Sequence, residues 1–207
     1  MNYFEVIEIF KNLQKKGLID PNRKIVLVKF KFYNCCSFAA RHRKDERKML
    51  ELKIFNHVIF SFKPEYYIEC DADKIEFLDE ATVMCTLLHE EGHMRFFNDK
   101  LDWNDQKIDN IPKQSVQLKK ENEFKADKYA ARIFLEKYPE LDPCVTMRRL
   151  FLAYQKCCEK HKSCLIKRKF SKFFHKIEHG VDDYHPPFDE RLKMIEEYCS
   201  EKKRKLM

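Results

Sequence analysis

A 207-residue chain that is 44% hydrophobic and 14% aromatic, with only three glycines and seven prolines, can build a packed core and is no disordered, collagen-like or low-complexity polymer. Its 41 basic residues against 34 acidic ones leave a net charge of +7, with much of the excess in 160–175 and the KKRK run near the end. Such an excess favours acidic partners, but mixed Lys/Glu faces are ordinarily solvated surface, and no nucleic-acid partner is expected.

The start, MNYFEVIEIFKNLQKKG, has none of the basic, apolar and small-residue pattern of a signal peptide, and no apolar run approaches bilayer length. The chain therefore reads as cytoplasmic, without a membrane span. Nine cysteines in that setting are most simply free thiols. Pairing stays open, because a Lys/Glu-rich composition is also the habit of heat-adapted proteins, in which intracellular disulfides occur.

Apolar positions at helical spacing (Phe4, Ile7, Phe10, Leu13) predict a helix over Tyr3–Lys16, closed by Gly17. The period then shortens, and strands are predicted over Lys24–Tyr33, Met49–Phe55, His57–Phe62 and Tyr66–Cys70 as a small antiparallel sheet. Between the first two, CCSFAARHRKDER reads as a loop or short helical connection, with Cys35–Cys36 a packing doublet. From Asp79, a plausible N-cap, an amphipathic helix is predicted over Ala81–Phe97, then helices over Leu118–Lys137, Cys144–Lys160, Ser163–His179 and Pro187–Lys202. Pro139 and Pro143 read as breaks. Sheet first and helices after is an α+β domain. It is a single domain over 1–207, in three parts: helix and sheet (1–78), the candidate metal helices (79–138) and a helical C-terminal part (139–207).

The chemistry concentrates in His89-Glu90-Glu91-Gly92-His93. Helical positions four apart share a face, so both imidazoles reach one ion, with Glu90 beside the open coordination position as general base. A catalytic zinc needs a third protein ligand, and Glu123 of NEFKAD supplies it. Asp127, one turn on, can accept a hydrogen bond from the far nitrogen of a ligand histidine.

HEEGH followed by NEFKAD resembles the gluzincin metallopeptidases. The segment His185-Pro186-Pro187-Phe188-Asp189-Glu190-Arg191-Leu192 resembles the HPP…ER piece of the HtpX, Oma and CAAX-prenyl-protease group. The resemblance covers about 80–192 and implies a zincin-like fold, one catalytic Zn2+ and endopeptidase activity on a peptide or protein substrate. It further implies His185 as the oxyanion-stabilising residue and Arg191 as its neighbour paired with a carboxylate; in the expected mechanism Tyr184 assists His185. Unlike membrane members of the group, the chain has no flanking apolar helices, so it resembles a stripped soluble form. The expected reaction is peptide hydrolysis by a zinc-activated water, Glu90 taking the proton, with substrate added as a strand along Tyr66–Glu69. The segment 144–180 has no counterpart in the group and is a candidate for covering or regulating the cleft.

Two other patterns are weighed and set aside. HKIEH (His175–His179) is formally the inverted zincin pattern but sits in a basic helix without a following ligand helix. The cluster Cys157, Cys158, His161, Cys164 lacks the partner knuckle of a thiolate zinc site. Competing functional readings are an ImmA/IrrE-like regulatory peptidase, which resembles the same HExxH and Glu-x-x-Ala-Asp pieces, and a basic nucleic-acid-binding module with a non-catalytic metal site.

Overall fold

A computed structural model describes residues 1–28, 38–42, 50–54, 57–62, 66–96, 113–165 and 186–206. The fold is α+β, as the element order implied. Helix α1 (Tyr3–Lys15) opens with a capping box in which Asn2 and Glu5 bond each other's backbone amides. It closes in a Schellman turn: Gly17 adopts φ 70°, the Gly17 amide donates to the Gln14 carbonyl and Leu18 to Leu13. The buried stripe Val6, Ile9, Phe10 and Leu13 faces the core.

The strands are β1 (Lys24–Val28), β2 (Phe38–His42), β3 (Leu50–Ile54), β4 (His57–Phe62) and β5 (Tyr66–Asp71). They form two sheets rather than one antiparallel sheet. β3 and β4 are an antiparallel hairpin by themselves, while the other three are ordered β1–β5–β2 in a mixed sheet. β5 pairs parallel with β1 and antiparallel with β2, so Ile68 lies opposite both Ile25 and Ala40.

Two expectations change here. The stretch read as a loop contributes β2. The first strand is described over Lys24–Val28, and the remainder of its expected span, 29–33, lies outside the described residues. Tyr66–Glu69 is central rather than an edge, because neighbours on both sides use its backbone groups, which leaves nothing for an added strand to bond. Among the described residues the edges of this sheet are β1 and β2.

After a short turn of helix, α2 (Ala72–Ile75), comes α3 (Glu80–Arg95), the element around which the rest is arranged. Asp79 caps it in a second capping box, accepting from the Thr82 amide at 2.8 Å while its own amide donates to Thr82 Oγ1 at 2.9 Å. The expectation of an amphipathic helix does not hold. Every residue from Thr82 to Gly92 is buried, because α1, β2, α4 (Lys113–Lys137) and α5 (Pro143–Leu165) all pack on α3. A helix enclosed on several sides has no solvent face to show.

Pro143 starts α5 instead of breaking the chain. It sits at the first helical position, where a missing amide costs nothing, and Asp142 caps the turn by accepting from the Cys144 and Val145 amides. The last helix, α6 (Phe188–Leu206), follows Pro186 and Pro187 and packs on α4 and α5. The helix predicted over Ser163–His179 begins inside α5 and otherwise lies outside the described residues, as does HKIEH. Among the described residues no helix is long and apolar enough to cross a membrane.

Candidate metal centre

The close approach of α3 and α4 creates the site. Gly92 faces Ala126, and a Cβ added at Gly92 would lie 2.8 Å from Ala126 Cα and 3.2 Å from its carbonyl oxygen. Only the absent side chain lets the two backbones meet this way, and Glu123 stands one turn before Ala126. The glycine of HEEGH thus brings the helix that carries Glu123 to the histidines. Gly92→Ala must push the helices apart, since the obstructing atoms are backbone. We expect it to cost about 1–3 kcal/mol of stability and to weaken metal binding by carrying Glu123 away. Denaturant midpoints compared with wild type check this, and an unchanged midpoint would disprove the contact.

His89 and His93, one turn apart, point their Nε2 atoms at each other at 2.9 Å, with the rings edge-to-face. Glu123 reaches both, with 3.5 Å from Oε2 to His89 Nε2 and 3.2 Å from Oε1 to His93 Nε2. These three side chains are the group of possible metal ligands found among the described residues. Four donors at tetrahedral zinc, with bonds near 2.0–2.1 Å, stand about 3.4 Å from one another. The 2.9 Å between the two Nε2 atoms, and the 3.2 and 3.5 Å approaches made by the two different oxygens of Glu123, bring the three side chains close to that spacing. Two imidazoles and one carboxylate are also a zinc donor set, so the residues fit the metal that the sequence suggested.

Behind the ligands lies a second layer. His89 Nδ1 is 2.8 Å from Asp127 Oδ1, which fixes the tautomer that presents Nε2 to the cluster. Asp127 is fully buried and is gripped by the Arg191 fork, with Nε to Oδ2 at 2.7 Å and Nη2 to Oδ1 at 2.6 Å. Arg191 Nη2 also stands 3.8 Å from Glu123 Oε2. One arginine on α6 thereby steadies both Glu123 and Asp127 of α4.

The electrostatics follow from this packing. Burial alone would lower the His89 pKa. The Asp127 charge and hydrogen bond outweigh it, with Glu123 helping, and hold it at about 10. A divalent cation bound at His89 Nε2 would displace that proton. Asp127 runs the other way: burial works to raise its pKa, but Arg191 and then His89 hold it below its ordinary value. For Arg191, burial is again outweighed, by Asp127, and its pKa is raised. Cys85, one turn before His89, is pushed up to about 12 by burial and by Asp127, with Arg191 opposing, so at neutral pH it is a thiol.

Of the residues singled out in the sequence, the structure brings together His89, His93, Glu123, Asp127 and Arg191. Glu90 is buried in the same turn of α3. His185 and Tyr184 lie outside the described residues. In the cysteine cluster Cys157 is buried on α5, and the side chains of Cys158, His161 and Cys164 are outside the described set.

Sequence reasoning missed two supports. Phe151 and Phe188 stack at 4.3 Å, the Arg191 guanidinium lies 5.6 Å from the Phe151 ring centre, and Tyr154 flanks Phe188. An aromatic wall from α5 and α6 thus encloses the arginine, and a Phe/Tyr spacing of three on α5 was its available signal. The other is Glu91, fully buried and held by Arg23 Nε at 3.1 Å and Arg95 Nε at 2.8 Å. It ties α3 to the approach to β1.

Comparison with family models, with curated proteins and with solved structures returns no match.

Proposed function

We propose that the chain is a zinc-dependent endopeptidase of gluzincin type with a zincin-like fold, and that HEEGH, NEFKAD and the Arg191 segment form its active centre. The observation that carries this is the convergence of His89, His93 and Glu123, whose possible ligand atoms lie within 4.8 Å of one another, from two helices meeting at Gly92. When bound, zinc supplies Lewis acidity, making a water nucleophilic near neutral pH and polarising the scissile carbonyl.

The protein's own residues do the rest. His89, His93 and Glu123 hold the ion. Asp127 keeps the His89 Nδ1 proton directed away from it, and Arg191 keeps Asp127 ionised. Glu90 accepts the proton of the attacking water and returns it to the leaving amine. His185 is proposed to stabilise the developing oxyanion. Burial along α3 falls off from Gly92 towards Arg95 and Phe96, which are exposed, so substrate would enter from the C-terminal end of that helix.

The test pairs metal with activity. The purified protein should bind one zinc and cleave an unfolded protein such as reduced casein, and removing zinc should stop cleavage. Glu123→Gln should weaken zinc by more than the roughly 10–100-fold that loss of an outer partner costs. Calorimetric titration measures this. Wild-type zinc affinity in the variant would remove Glu123 from the ligand set, and hydrolysis undiminished in the metal-free protein would end the proposal.

A further inference from the structure

A run of side-chain contacts leads from α5 to a histidine of the candidate metal centre. Phe151 is buried on α5, and its ring stacks on Phe188, the first residue of α6, with 14° between the planes. Phe188 stands three residues before Arg191, a helical neighbour spacing, so the ring that braces Phe151 and the guanidinium beside it come from one turn of α6. Arg191 Cζ lies 5.6 Å from the Phe151 ring centre, within the reach of a cation–π contact. The guanidinium holds Asp127 by its two-bond fork, and Asp127 Oδ1 lies 2.8 Å from His89 Nδ1. Each of the three helices α4, α5 and α6 contributes one link.

We propose that Phe151 is a positioning residue of the metal centre: acting through Arg191 and Asp127 it fixes His89, so that the packing of α5 on α6 sets how tightly the ion is held. This rests on the zinc reading above and adds to it a control from outside the ligand helices.

The reason lies in the shape of the groups. A guanidinium is planar, and two parallel bonds to one carboxylate form only when that plane is held in register with it. The arginine stem has several rotatable bonds and does not set the plane by itself. A flat ring beside the guanidinium limits its rotation, and an apolar ring excludes the water that would compete for its donors. Both effects strengthen the grip on Asp127, and a firmly held acceptor orients the imidazole that it bonds. Leucine at 151 would refill part of the volume without the flat face. A merely structural role for Phe151 would show as lost stability alone.

Calorimetric zinc titration of the folded full-length protein tests this. Phe151→Leu, or Phe151→Met should the leucine variant fold poorly, should weaken zinc by about 10-fold, the lower end of what loss of an outer partner costs. Phe151→Tyr keeps the flat face and should keep the wild-type affinity. Phe10→Leu, a core change on α1 outside the run of contacts, should lower the Tm and leave zinc affinity unchanged. In a chain already carrying Arg191→Met and Asp127→Leu, adding Phe151→Leu should weaken zinc no further, because the group it acts through is gone. Wild-type affinity in Phe151→Leu, an equal loss in Phe10→Leu, or a further 10-fold loss in the background without Arg191 would each overturn the positioning role while leaving the zinc reading in place. A wild-type protein that binds no zinc would overturn both.

Discussion

Glu90→Gln should leave zinc stoichiometry and affinity at wild-type levels while cutting hydrolysis of an unfolded protein by about 10²–10⁴-fold, the usual worth of a positioned general base. Glutamine matches glutamate in size, so the buried turn of α3 keeps its packing, but its amide cannot accept a proton. The neighbouring Glu91 is a built-in contrast. It too is buried, but two arginines hold it in a structural role, so Glu91→Gln should lower stability. Zinc analysis alongside initial rates separates these outcomes. A Glu90→Gln protein with the wild-type rate would remove Glu90 from the mechanism, and one that had lost its zinc would make Glu90 part of the metal's support.

Arg191→Ala carries the largest expected loss of stability. Asp127 is fully buried, and the Arg191 fork is its bidentate partner. Breaking a buried pair from one side leaves an uncompensated charge and costs about 3–5 kcal/mol. In a chain of this size the melting point should fall by on the order of 10 °C. Lysine is no substitute, because a point charge cannot reproduce two parallel bonds. Replacing both partners, as Arg191→Met with Asp127→Leu, should recover much of the stability, since apolar pairs of similar volume replace buried ion pairs well. Zinc affinity should nevertheless stay about 10–100-fold down, because His89 has lost the acceptor that orients it. Melting curves and zinc titrations on the single and double variants decide the matter. Full zinc affinity in the double variant would show Asp127 to be structural only.

The sequence made the candidate metal cluster readable because its geometry is local. Four-residue spacing puts His89 over His93 and Glu123 over Asp127 whatever the rest of the chain does, and a capping residue such as Asp79 announces itself. What needed the structure was long-range. The parallel pairing of β1 with β5 depends on a crossover that local alternation cannot report. The strand β2 hid in FAARH because Arg41 and His42 look like loop residues, and the strand exists through its register with β5. The polar run of α3 suggested a solvent face, yet His89 and Glu91 are buried because partners from distant segments meet them: Asp127 and Glu123 for one, Arg23 for the other. The segment 144–180 had no counterpart among the motifs. Its described part contributes Phe151 and Tyr154 to the aromatic wall beside Arg191, and 166–180 lies outside the described residues.

Enclosure of α3 also has a dynamic consequence. Local opening in proteins begins where few apolar contacts must be broken, at frayed ends and lightly packed loops. A helix walled by α1, β2, α4 and α5 has no such starting point along the stretch from Thr82 to Gly92. Its backbone can be freed only by the event that frees the whole core. The His89 imidazole therefore holds its position for as long as the molecule is folded, and that side of the candidate metal site inherits its geometry from global stability instead of being assembled at each encounter.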